Sequence, residues 1–209
     1  MARPAQVTIS ISTSSQEIPL SSPLPSPALP KITVNDVPVP DPGAPDHYPS
    51  GVQIVVINST GDLSDPAAII SDKCSVVTQD AQQGWSDTYR NMFDDATNQV
   101  LGAGDPQQQL VIVATYGMDL GMFPTPDFVE LMLSLGAGPQ LQQWINTAVP
   151  SESGDWVDYP VDYVLVGSPG YGYGGASEKF DYAGGEGTPV QTSLSVTLEN
   201  NPEPPTAPT

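Results

Sequence analysis

Three short runs of the chain are apolar at almost every position. Gly51-Val52-Gln53-Ile54-Val55-Val56-Ile57-Asn58 is followed by the turn signal Ser59-Thr60-Gly61-Asp62. Leu110–Tyr116 and Tyr163–Gly167 are the second and third. Their length and lack of alternation predict strands with both faces covered. Between them the period changes. Trp85, Tyr89, Met92, Phe93, Ala96 and Val100 recur at helical spacing, and Gly102 and Gly104 end that pattern. Thr125-Pro126-Asp127 reads as an N-cap, a first-turn proline and an acid favoured by the helix dipole. The helix it opens has Phe128, Leu131, Met132 and Leu135 as its core stripe, and Gly136 supplies the left-handed residue that closes it. Leu141, Trp144 and Ile145 predict one more short helical turn.

The ends of the chain follow another pattern. Val7, Ile9 and Ile11 alternate with hydroxyl residues, as do Ile32 with Val34 and Leu194 with Val196 and Leu198. Each is the signature of a strand with one covered face, able to add to a sheet edge in this domain or in a neighbour. Prolines surround them: Pro19, Pro23, Pro25, Pro27 and Pro30, then Pro38, Pro40, Pro42, Pro45 and Pro49, and a tail from Pro202 to Thr209. Proline fixes φ and removes a donor, so these stretches are expected to be extended arms. The expected division is an arm over 1–50, a globular domain over 51–180, and a strand with a Pro-rich tail over 181–209.

Charge narrows the partners. The 209 residues hold 24 acidic and only 5 basic side chains, a net charge of −19. Such a surface repels phosphate backbones and anionic headgroups, so neither nucleic acid nor a membrane surface is expected as a partner. No stretch is long and apolar enough to be a spanning helix, so membrane insertion is not expected. Met1-Ala2-Arg3-Pro4-Ala5-Gln6 lacks the apolar stretch of a signal peptide, which predicts synthesis in the cytoplasm. Cys74 is the only cysteine, so no intrachain disulfide is available, and Cys74-Ser75-Val76-Val77 reads as a buried strand.

The order of the elements resembles a known family. The run Gly51–Gly61, the strand ending at Tyr116, Phe128-Val129-Glu130-Leu131-Met132-Leu133-Ser134-Leu135-Gly136-Ala137, Asp162-Tyr163-Val164-Leu165-Val166-Gly167 and Ala176-Ser177-Glu178-Lys179-Phe180 follow the pattern of the interleukin-like EMT inducer domain. The match runs over about residues 51–180. It implies an α+β fold, a compact ββα domain with two small sheets flanked by short helices, here with extended Pro-rich arms at both ends. It also implies no catalysis, since members act as secreted signals or as carbohydrate-binding stem domains. Two departures stand out. Metazoan members are disulfide-bonded, and the sugar-binding stem has an arginine where this chain has Val161. Only Asp162 and Tyr163 match there.

Candidate chemistry is sparse. His47, the sole histidine, lies in the linker Asp46-His47-Tyr48-Pro49, so Ser-His-Asp and Cys-His schemes lack a fixed base. Asp94 and Asp95 are adjacent on a helix and point apart. One His and one Cys exclude the usual zinc sets. Glu152, Asp155, Asp158 and Asp162 lack calcium-loop spacing. No enzyme, cofactor or metal site is therefore expected. The binding candidate is Gly167-Ser168-Pro169-Gly170-Tyr171-Gly172-Tyr173-Gly174-Gly175, where tyrosines on a loop suit a sugar face. Trp156 and Tyr159 stand just upstream. The expected glycan residues are Tyr171, Tyr173, Trp156, Tyr159 and Asp162. The functional expectation is a non-enzymatic structural protein of a virion, such as a phage tail, fibre or decoration protein. Its arms would hold other subunits, and its domain would contact glycans. The alternative is a bacterial carbohydrate-binding or adhesion module, extracellular or at the cell surface.

Overall fold

A computed structural model describes residues 6–15, 29–40, 50–59, 65–76, 85–147, 159–183 and 188–199. They form an α+β fold of two antiparallel sheets and three helices in three layers. The strands are β1 (Gln6–Ser15), β2 (Lys31–Val34), β3 (Val37–Pro38), β4 (Gly51–Asn58), β5 (Ile69–Val76), β6 (Gln109–Tyr116), β7 (Met118–Asp119), β8 (Pro160–Gly167), β9 (Ser177–Tyr182) and β10 (Val190–Glu199). The helices are α1 (Trp85–Leu101), α2 (Pro126–Ser134) and α3 (Pro139–Thr147).

The three apolar runs are the centre of the larger sheet, in the order β5-β4-β6-β8-β9, and β7 continues β6 along the edge of β8. Their lack of alternation has the expected cause: both faces are covered. Val52, Ile54, Val56, Val111, Val113, Val161, Tyr163 and Leu165 meet the helical layer. Against them lie Met92, Phe93, Ala96 and Val100 of α1, Phe128, Leu131 and Met132 of α2, and Leu141 and Trp144 of α3. Phe93 joins Phe128 and Trp144, and Trp144 joins Tyr163, with ring centroids 4.9, 6.2 and 5.3 Å apart. The predicted cap of α2 is present. The Thr125 hydroxyl accepts the Phe128 N–H, Pro126 opens the helix, and Gly136 follows with φ of 94°.

The opposite face of the same sheet presents Val55, Ile57, Leu110, Ile112, Ala114, Val164 and Val166. The second sheet, β10-β1-β2-β3, covers it with Val7, Ile9, Ile11, Ile32, Val34 and Val196. β1 and β10 pair along ten residues, Gln6 opposite Glu199 through Ser15 opposite Val190. The hairpin between β2 and β3 turns on Asn35 and Asp36, at φ of 50° and 64°, and the Asn35 side chain accepts the Thr8 N–H. Both central residues in the left-handed region match a type I′ turn. The outward face of this sheet is hydroxylic: Thr8, Ser10 and Ser12 stand opposite Thr197, Ser195 and Ser193.

This arrangement corrects the expected domain boundaries. The strands at 6–15, 31–34 and 190–199 are not free arms. They pair with one another and close over the sheet of the 51–180 region, because its back face is apolar and needs a cover. The stretches 16–28, 41–49 and 200–209, which hold 11 of the 24 prolines, lie outside the described residues. No helix among the described residues is long and apolar enough to cross a membrane. Cys74 is half-buried on the edge strand β5 rather than fully enclosed.

Candidate functional site

β8 is the strand from which two polar assemblies of the interior are built. Its alternation sends Tyr163 to the helices and Asp162 to the second sheet. Tyr163 is fully buried and donates its hydroxyl to Glu178 Oε2 at 2.8 Å. Burial first, then the Glu178 charge and hydrogen bond, hold that phenol well above its usual range, so it remains a donor. The Glu178 carboxylate also accepts the backbone N–H groups of Gly138, Gln140 and Leu141 at 2.9, 3.0 and 3.2 Å. These belong to the start of α3, whose first-turn donors have no partner inside the helix. A side chain of β9 thus caps a helix 40 residues earlier in the chain, and its negative charge suits the positive end of the dipole. Gln140 returns the contact, its Oε1 accepting the Phe180 N–H at 3.0 Å.

The glycine- and tyrosine-bearing loop docks on the same corner. Ser168 N–H donates to Leu135 O, Gly170 to Ser134 O, Gly174 to Ala137 O and Ala176 to Gly136 O, at 2.9–3.3 Å. The approach is too close for side chains. A Cβ on Gly136 would lie 2.5 Å from Tyr171 Cβ, and one on Gly138 would lie 2.7 Å from Gly174 Cα. Gly136→Ala therefore meets both the left-handed φ and this contact. A loss of about 2–4 kcal/mol in urea unfolding is expected. A variant within about 0.5 kcal/mol of the native protein would show that the loop is not clamped there.

The other assembly lies between the sheets. Asp162 is fully buried, and Ser15, the last residue of β1, donates its hydroxyl to Asp162 Oδ1. The same Ser15 oxygen accepts the Met118 N–H at 3.2 Å. Asp162 Oδ2 has no hydrogen-bond partner among the described residues. Directly across the ladder, on the same face, stands Asp181. Its carboxylate is held by Lys179 at 2.9 Å and by the Thr192 hydroxyl at 2.8 Å. Desolvation raises the Asp162 pKa to about 7. The Ser15 hydrogen bond opposes that rise, Asp181 adds to it, and the Thr192 backbone opposes it weakly.

The residues expected to bind sugar do not form one patch. Asp162 is sealed between the sheets because its position in the alternation faces the second sheet, which corrects its reading as a ligand residue. Tyr159 packs partly against the helical core ahead of β8, whereas Tyr171 and Tyr173 lie past the other end of the strand. Eight residues at about 3.3 Å each put roughly 25 Å between those groups. Trp156 lies outside the described residues. What remains is Tyr173, 67% exposed on the docked loop, with Tyr171 half-buried beside it. Tyr182 is a further exposed aromatic, stacked on Phe180 with centroids 5.8 Å apart. Sequence reading missed it and Glu178, for β9 has no apolar run to draw attention. Among the described residues no group of three or more His, Cys, Asp or Glu side chains could hold a metal ion. His47, Glu152, Asp155 and Asp158 lie outside them. No protein-family model matches this chain, and no curated protein matches it either.

Proposed function

We propose that the protein is a non-enzymatic structural subunit, a virion component of the tail, fibre or decoration kind, whose docked Gly/Tyr loop contacts glycans. The observation that carries this reading is where the polar side chains of the interior are spent. Glu178 caps α3 and accepts the Tyr163 hydroxyl, and Asp162 binds Ser15, so these interior carboxylates serve the fold. Tyr173 then projects from a loop held on both sides by backbone hydrogen bonds. A rigid loop with an exposed ring suits recognition at low entropic cost. The acidic surface, with net charge −19, favours solubility and basic protein partners over nucleic acid. Because β1, β2 and β10 are paired within their own chain, contacts with other subunits fall to the Pro-rich segments between and beyond them.

Particles purified from the producing culture are expected to contain the chain in a fixed ratio to their other proteins. Recovery of the chain only as a free monomer in that culture overturns the assembly reading. The second reading, a bacterial carbohydrate-binding or adhesion module, draws on the exposed Tyr173 alone. For either one, Tyr173→Ala is expected to leave thermal stability within about 0.5 kcal/mol of the native protein, as for most exposed sites. It should weaken glycan-array binding at least about tenfold, the loss of one stacking contact. Binding unchanged in Tyr171→Ala and Tyr173→Ala removes the loop from consideration.

A further inference from the structure

The contact between the two sheets changes character along β1. From Val7 to Ile11 it is apolar. From Thr13 to Ser15 it is largely hydroxylic: Thr13, Ser15 and Thr192 are buried at that end, beside the apolar Val190 that pairs with Ser15. The Thr13 hydroxyl donates to Thr115 O, and Ser15 reaches Asp162 and Met118. Hydroxyls contribute little of the apolar burial that holds the rest of the seam. This end therefore depends on polar contacts, and one of them is a carboxyl with an unpartnered oxygen.

We infer that Asp162 is a proton-operated latch between the sheets. When its carboxyl is protonated, the β1–β10 end is held against β8, and when it ionises, that end loosens. The groups facing it fix the direction. From β9 come Asp181, a like charge, and Lys179, whose ammonium is taken by Asp181. From β1 and β10 come the hydroxyls of Thr13, Ser15 and Thr192 and the Thr192 backbone amide, none of them charged. Tyr116 of β6 lies on the same face, but its ring leans over Gly51, toward β4. β7 pairs Asp119 with Pro160 in the backbone ladder. No cation on these elements is free to neutralise an ionised Asp162, whereas opening lets water do so.

The sign follows from linkage. The carboxyl has its pKa raised from 3.8 to about 7 in the closed state. A raised acid binds more protons when closed. Its stabilising effect is full below 3.8 and is lost as pH rises through about 7. Hydrogen exchange on the full chain tests this, with rates corrected for their intrinsic pH dependence. Between about pH 5 and about pH 8, protection of amides near Ser15 and Val190 is expected to fall on the order of a hundredfold relative to β4 amides. In Asp162→Asn the fall should vanish, with protection at the higher pH raised to the acid level. Asp181→Asn, which removes the facing charge, should move the midpoint to lower pH. Equal protection at both pH values overturns the latch, and so does native pH dependence in Asp162→Asn. Should that variant not fold, an unmoved midpoint in Asp181→Asn overturns it.

Discussion

A fragment spanning residues 51–183 is expected not to fold into a stable monomer. Sequence alone suggests the opposite, for this stretch contains the three apolar runs and all the helices. The structure shows what the fragment lacks. Val55, Ile57, Leu110, Ile112, Val164 and Val166 are 0–3% exposed only because β1, β2 and β10 lie over them. Burying such a side chain contributes about 1.5–3 kcal/mol, so stripping the cover from six of them removes roughly 10 kcal/mol or more. That equals the entire net stability of an ordinary domain, about 5–15 kcal/mol. The residues uncovered are also adjacent on one flat face, which favours aggregation over a merely loosened monomer. The expected result is an insoluble product, or a soluble one with poorly dispersed amide resonances and strong binding of a hydrophobic dye. Adding back residues 188–199 alone should not rescue it, because β10 reaches the rest of its sheet through β1. A monomeric fragment with a cooperative melt would show that the second sheet is an accessory rather than half of the core.

The evidence for that cover was present in the sequence but divided between distant segments. Strands that read apolar on both faces need two covers. The helical stripe headed by Met92 and Phe93 supplies one. The alternating strands at Val7–Ile11 and Leu194–Leu198 have one apolar face each and no partner nearby in the chain, so they are the natural second. Proline-rich flanks drew the reading toward free arms instead, because proline speaks to its own backbone and not to the strands beside it. The caps of α2 were legible since they are local: Thr125, Pro126 and Gly136 act on residues within one turn. Glu178 was not, because it acts on donors about 40 residues away. Asp162 was visible as an acid inside an apolar strand. That pattern marks a carboxyl forced into the interior, and exposure on a binding surface was the wrong inference from it.

Replacing Glu178 by alanine is expected to cost about 3–5 kcal/mol, the second-largest effect foreseen for this chain. Four donors converge on that carboxylate: two are first-turn amides of α3, Gln140 and Leu141, a third is the Gly138 amide just ahead of the helix, and the fourth is the Tyr163 hydroxyl. Hydrogen bonds to a charged group contribute about 1.5–3 kcal/mol each, and the half-buried amides recover part of the loss from water. The Tyr163 hydroxyl recovers none, since its side chain is fully enclosed beneath Trp144. Glu178→Gln separates geometry from charge. An amide oxygen can still accept the Gly138 and Gln140 N–H groups, but its NH₂ cannot accept Leu141, and the dipole loses its countercharge. About half the loss is expected there. The pairing with Tyr163 can be isolated by a double-mutant cycle in urea. Tyr163→Phe should cost about 1–2 kcal/mol in the native background and close to nothing in Glu178→Ala, where the hydroxyl is already stranded. Equal costs in both backgrounds, or a Glu178→Ala protein as stable as the native one, would mean that α3 is seated by Leu141 and Trp144 packing alone and that the carboxylate only decorates its end.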